Sequence, residues 1–149
     1  MISLSVTSGQ AYINNIVYML NDVTPWANGM TNPDALVKAK KRLQDLRNVQ
    51  EYLSTIGVIF RRYTEEDMTK EERALTDAFF KECVFREQEC RMNYAYFASV
   101  FNGGLDGSVF DKNPLKPFDQ TKALLEPSDF PWWIFLLLGG VVILSHKRG

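Results

Sequence analysis

The sequence predicts an all-α protein: an antiparallel helical hairpin or three-helix bundle followed by a C-terminal transmembrane helix. Three observations predict it. Two segments of about thirty residues repeat apolar side chains at helical spacing. Each opens on a capping signal. The last twenty residues contain a run of fifteen without a charge.

The first long helix is expected over 33–63. Asn32-Pro33-Asp34 supplies a capping side chain, a proline at the first helical position and an acid against the positive end of the helix. Behind it Leu36, Leu43, Leu46, Leu53, Ile56 and Phe60 recur three, four and seven apart. Arg61 and Arg62 stand near the negative end. Gly57 is a candidate bend.

A polar turn, Thr64-Glu65-Glu66-Asp67-Met68, separates this helix from a second over 70–101, which Thr69 and Glu72 open as a capping box. Its stripe holds Leu75, Phe79, Cys83, Cys90, Tyr94, Phe97 and Phe101, and Asn102-Gly103-Gly104 ends it. A short turn between long helices predicts antiparallel packing. Residues 33–63 carry seven Lys/Arg against three Asp/Glu, and residues 64–101 carry five against nine. Opposed charge therefore favours the pairing, while the apolar seam supplies most of the stability. Arg86 falls on the stripe of the second helix: either the stripe drifts and Arg86 reaches solvent, the preferred reading, or it is buried and must have a partner.

Two helices alone leave apolar surface wet. A shorter amphipathic stretch over 10–21, with Ile13, Ile16, Val17 and Leu20, is expected to cover it as a third helix. Trp26 and Met30 follow in the connection, where they can lid one end. Residues 1–101 thus form the body. Residues 102–129 hold Pro114, Pro117 and Pro127 with Gly103, Gly104 and Gly107. They predict a mostly irregular tether with at most a short helix over 119–126.

Residues 130–149 are expected to anchor the chain in a membrane, with docking into a hydrophobic groove of a partner as the alternative. Phe130, Trp132, Trp133, Ile134, Phe135, Leu136, Leu137, Leu138, Val141, Val142, Ile143 and Leu144 make the stretch apolar all round. Pro131 suits a first helical turn, and the two indoles suit the headgroup level. Lys147 and Arg148 close the far end and can snorkel. A helix over 131–145 rises roughly 22 Å, short of a hydrocarbon core of roughly 30 Å, which flanking anchors and local thinning absorb.

The remaining readings concern chemistry and partners. The chain has 149 residues, 46% hydrophobic and 23% charged, with a net charge of −1, which suits a folded body and points to no nucleic acid. Residues 1–10 lack the basic and apolar regions of a secretory signal. The single histidine, His146, sits in the membrane-flanking tail, so no catalytic triad forms within the body. Glu82, Glu87 and Glu89 read as solvated helix surface, because the Glu-x-x-His partner of a di-iron site is missing. Cys83 and Cys90, two turns apart, read as seam fillers rather than zinc ligands or a disulfide. Lys38, Lys40, Lys41 and Arg42 form the densest basic cluster. It reads as a solvated face, partly pairing with the acidic second helix, with contact to anionic headgroups or a nucleic acid as the alternative.

Glu126-Pro127-Ser128, the apolar run and Lys147-Arg148 together resemble the layout of bacterial C-terminal sorting signals of the Pro-Glu-Pro type. The chain departs from that pattern in having Leu-Leu-Glu before Pro127 and no export signal, so the likeness is read as convergence and no family is assigned. The expectation is a non-enzymatic, tail-anchored structural or assembly subunit, such as a minor membrane-associated protein of a virion with an internal lipid membrane. An accessory subunit of a bioenergetic complex, a lysis-type protein or a tail-anchored adaptor are the alternatives. Its expected partners are a lipid bilayer and protein subunits of a larger assembly. Neither a cofactor, a metal nor a small-molecule substrate is expected. The expected location is a virion or cellular membrane, crossed once by the C-terminal segment.

Overall fold

A computed structural model describes residues 1–117. Among them the fold is all-helical, with three long helices, α1 (Leu4–Asn28), α2 (Pro33–Phe60) and α3 (Lys70–Phe101), and a short α4 (Ser108–Lys112). No helix of the described residues is long and apolar enough to cross a membrane. The segments expected over 119–126 and 130–149 lie outside the described residues.

Both capping signals act as the sequence predicts. The Asn32 side chain accepts from the amides of Asp34 and Ala35 at 3.0 and 3.2 Å. The Thr69 hydroxyl accepts from the Glu72 amide at 3.1 Å, and the Glu72 carboxylate accepts from the Thr69 amide at 2.8 Å. Each satisfies amides that a helix start otherwise leaves without partners. At the other end of α3, Gly103 takes φ +79°, and the Gly104 amide reaches back to the Ser99 carbonyl at 2.8 Å. That left-handed step suits glycine and ends the helix.

The largest difference from the sequence expectation is α1. A helix expected over 10–21 runs instead for 25 residues, and α1 packs most extensively on α3, next on α2, while α2 and α3 meet least. Its buried residues are Val6, Gly9, Ile13, Ile16, Leu20, Val23 and Ala27, spaced alternately three and four. The same alternation runs through Ala35, Ala39, Arg42 and Leu46 of α2, and through Thr76, Phe79, Cys83, Arg86, Cys90, Asn93, Phe97 and Val100 of α3. A repeat of 3.5 residues keeps one seam facing its neighbours when helices supercoil left-handedly.

Two residues hid the true length of α1. Gly9 breaks the apolar stripe on paper, yet it sits on the seam against Phe79. Pro25 signals a stop, yet α1 continues to Asn28. The proline withdraws the amide that would bond the Asn21 carbonyl, and both residues stand on the exposed side of the helix. Trp26 therefore belongs to α1, where its ring lies 5.1 Å from that of Tyr94 and 6.2 Å from that of Phe101.

The start of α1 is held by the turn between α2 and α3. Ile2 bridges Thr64. The Glu65 carboxylate accepts from the Leu4 amide at 2.6 Å and pairs with Arg73 at 3.0 Å. Glu65 thus caps a helix from 61 residues away in the chain.

Candidate functional site

The strongest concentration of buried polar chemistry lies where α2, α3 and residues 102–117 meet. Arg42 sits at a seam position of α2 and is 6% exposed. Its guanidinium donates to the Asn93 side chain at 2.7 Å, to the Phe110 carbonyl, and to the Asn113 carbonyl at 2.7 Å. It also lies 5.3 Å from the Phe110 ring centroid. Burial draws its pKa down from the usual arginine value, though arginine stays charged at any working pH.

Arg42 therefore corrects two expectations. It leaves the basic cluster, since its fork is spent on groups of this chain. It also fastens the segment after α3, of which residues 102–117 are not a free tether. Gly103 turns the chain, Gly107 comes within van der Waals reach of Ala35 and Lys38, and the Phe110 ring packs 5.0 Å from Phe97. Lys38 pairs with Asp111, whose hydrogen bond raises the lysine pKa. Further on, the Lys116 amide donates to Glu89 at 2.9 Å, and its ammonium lies 5.3 Å from the Phe85 ring centroid. The segment runs back along α3 and beside α2.

A second polar layer lies below the first. Arg86 does not reach solvent: it is 2% exposed and pairs with Glu82 at 2.7 Å and Glu89 at 2.8 Å. Glu87, also buried, pairs with Arg91. The three acids expected as solvated surface are thus built into ion pairs along α3 itself. An isolated charge at a seam position would be costly, so burial here requires those partners. Among the described residues no group of His, Cys, Asp and Glu is arranged to hold a metal ion.

Of the remaining basic cluster, Lys40 is exposed and Lys41 pairs with Asp45 on its own helix at 3.2 Å. Cys83 and Cys90 are buried and free, and burial pushes the Cys90 thiol up to about 12. Neither sulfur is a thiolate at neutral pH, so neither is a ready nucleophile. The proposed anchor residues, from Phe130 to Arg148, lie outside the described residues.

Sequence reasoning missed Asn93 and the inward turn of Arg42. The signal was present: both fall on the three-four alternation of their helices, and Arg42 follows Ala39 by three and precedes Leu46 by four. A charged residue in a basic run is easily assigned to the outside on composition, whereas register assigns it to the seam. Compared with known protein families, with curated proteins and with solved structures, the chain matches none of them.

Proposed function

We propose that this chain is a non-enzymatic structural or assembly subunit held to a lipid bilayer by its C-terminal segment. The observation that carries the reading is the uncharged run over 130–144, with Trp132 and Trp133 at one end and Lys147 and Arg148 at the other. Indoles favour one headgroup level, and basic side chains can snorkel to the opposite one. The described helices support the reading from the other side: apolar residues of all three long helices pack into a shared core, Arg42 joins α2 to α3 and to the return segment, and Arg86 is paired within α3. The bundle then serves as the part that meets other proteins. Lys40 and Lys41 remain on its outer face for anionic headgroups.

Flotation with liposomes of mixed neutral and anionic lipid tests this. The full chain should rise with the vesicles and resist extraction at alkaline pH. A chain ending at residue 129 should stay with the soluble fraction while keeping its helical circular dichroism. A truncated chain that still floats would place the lipid contact in the bundle and sink the reading.

A further inference from the structure

At the edge where α1 meets α3, aromatic rings gather around a carboxylate. On α1, Asp22 lies one turn after Tyr18 and one turn before Trp26, so the three share a face. Across the seam, the Tyr94 hydroxyl of α3 donates to Asp22 Oδ2 at 2.5 Å. The Trp26 ring meets that of Tyr94 at 5.1 Å between centroids and 61° between planes, so their faces are not stacked on each other. Phe101 lies 6.2 Å from Trp26 on its other neighbour's helix, α3. Tyr18 is 73% and Phe101 46% exposed, Asp22 is exposed, and Trp26 and Tyr94 are half-buried. The hydrogen bond to Asp22 raises the Tyr94 pKa, so the phenol stays a donor to the carboxylate at neutral pH. One Asp22 oxygen and the lone pairs of the Tyr94 oxygen remain as acceptors.

The described residues supply no cation to this group. Elsewhere the chain lays its own over ring faces: Arg42 over Phe110, Arg62 over Tyr63, and both Arg86 and Lys116 over Phe85. Among the described residues none lies over Tyr18, Trp26, Tyr94 or Phe101, and none pairs with Asp22. Arg91, one turn before Tyr94, is engaged with Glu87, and Arg47 donates to Thr24. A ring face attracts a cation through its quadrupole, and Asp22 adds a full negative charge beside it. The two waiting acceptors favour a cation that carries N–H donors over a quaternary ammonium. Flat ring faces favour a guanidinium, which stacks while it donates, over a compact ammonium. We infer that Tyr18, Asp22, Trp26, Tyr94 and Phe101 form a docking surface for an arginine side chain of a partner protein. This deepens the reading of the bundle as the part that meets other proteins, and it is independent of whether residues 130–149 enter lipid.

A single side chain binds weakly, so the test is a titration of the full chain, in an uncharged maltoside detergent, to about 30 mM peptide. The probe is a capped glycine peptide with one central arginine, and the readout is the NMR shifts of the Trp26 indole N–H and of the Tyr18 and Asp22 amides. These should move and saturate with the arginine peptide, move less with its lysine counterpart, and stay still with the neutral citrulline one. Asp22→Asn keeps an acceptor for Tyr94 and should weaken binding about tenfold. Tyr18→Ala, at an exposed position, should weaken it about threefold, with helical circular dichroism unchanged in both variants. No saturation with the arginine peptide overturns the inference, as does an Asp22→Asn chain that binds as well as the native one. Choline shifting the same signals more strongly than the arginine peptide would assign the rings to a lipid headgroup and overturn it too.

Discussion

Gly9 and Phe79 occupy the same space at the α1–α3 seam: a β-carbon on Gly9 would lie 2.7 Å from Cε2 of the Phe79 ring. On the far side of that ring, a β-carbon on Gly57 would lie 3.2 Å from Cζ. The ring is fully buried between two helices that each give up a side chain to admit it. Gly57 is therefore a point of close approach, and the expected bend is not needed to explain it.

This predicts opposite outcomes from propensity and from packing. Alanine in place of a helical glycine favours the helix by about 1 kcal/mol. Overpacking a full core costs about 1–3 kcal/mol. Gly9→Ala should therefore lower the melting temperature, because Phe79 cannot retreat toward Gly57. Gly57→Ala should stay within about 1 kcal/mol of the native chain, since a few tenths of an ångström suffice there. Phe79→Leu should make Gly9→Ala less harmful than it is alone, and a double-mutant cycle would measure the coupling.

Arg42→Ala should loosen one segment before it loosens the bundle. It strands the Asn93 side chain and the carbonyls of Phe110 and Asn113, for a loss of order 2 kcal/mol. Hydrogen exchange should rise across 107–116, while the amides of α1 around Ile13 stay protected. Arg42→Lys should not restore protection, because one ammonium cannot serve three acceptors in a planar fork. Uniform loss of protection across all helices would contradict the assigned role.

Arg86→Met should destabilise by about 3 kcal/mol, the lower end for breaking a buried ion pair, since Glu82 and Glu89 keep some contact with water. Replacing Glu82 and Glu89 with leucine as well should recover part of that loss in chemical denaturation. A triple variant weaker than Arg86→Met alone would show that losing the Lys116 amide bond to Glu89 outweighs the relief of unpaired buried charge.

Acid should weaken the start of α1. The Leu4 amide, and then Arg73, hold the Glu65 carboxyl below its ordinary 4.5. A depressed carboxyl contributes stability above its unfolded pKa and loses it as pH falls through the folded value. Melting temperature should thus decline below about pH 4.5, and Glu65→Gln should flatten that decline. Parallel curves for the two chains would assign the acid sensitivity elsewhere.

The helices that carry explicit capping chemistry could be read from sequence to within a few residues. Asn32-Pro33-Asp34 and the Thr69/Glu72 box satisfy local amides with local side chains, so nothing distant is needed to place them. The start of α1 obeys the opposite logic. Its N-cap, Ser3, makes no side-chain capping bond, and Glu65 caps it from the far turn. A window of neighbouring residues cannot contain that information. The same holds for residues 107–116, whose proline and glycine content argues for irregular chain. Their order comes from Arg42, Glu89 and Lys38, which lie 27 to 73 residues away in sequence. The polar layer was half legible: a three-four register reveals Arg42, Arg86 and Asn93 as inward-facing, but only their partners explain why they are tolerated there.

Lys116 sits against Phe85 and Glu89, so the described return segment ends beside the middle of α3 rather than at either of its ends. Tension applied at Lys116 would load the middle of α3 and not a helix terminus. It would first peel the Lys116 contact, then strain the grip of Arg42, and reach the three long helices only after both had yielded. Pulled from that point, the return segment should yield as a separate step before the three long helices do.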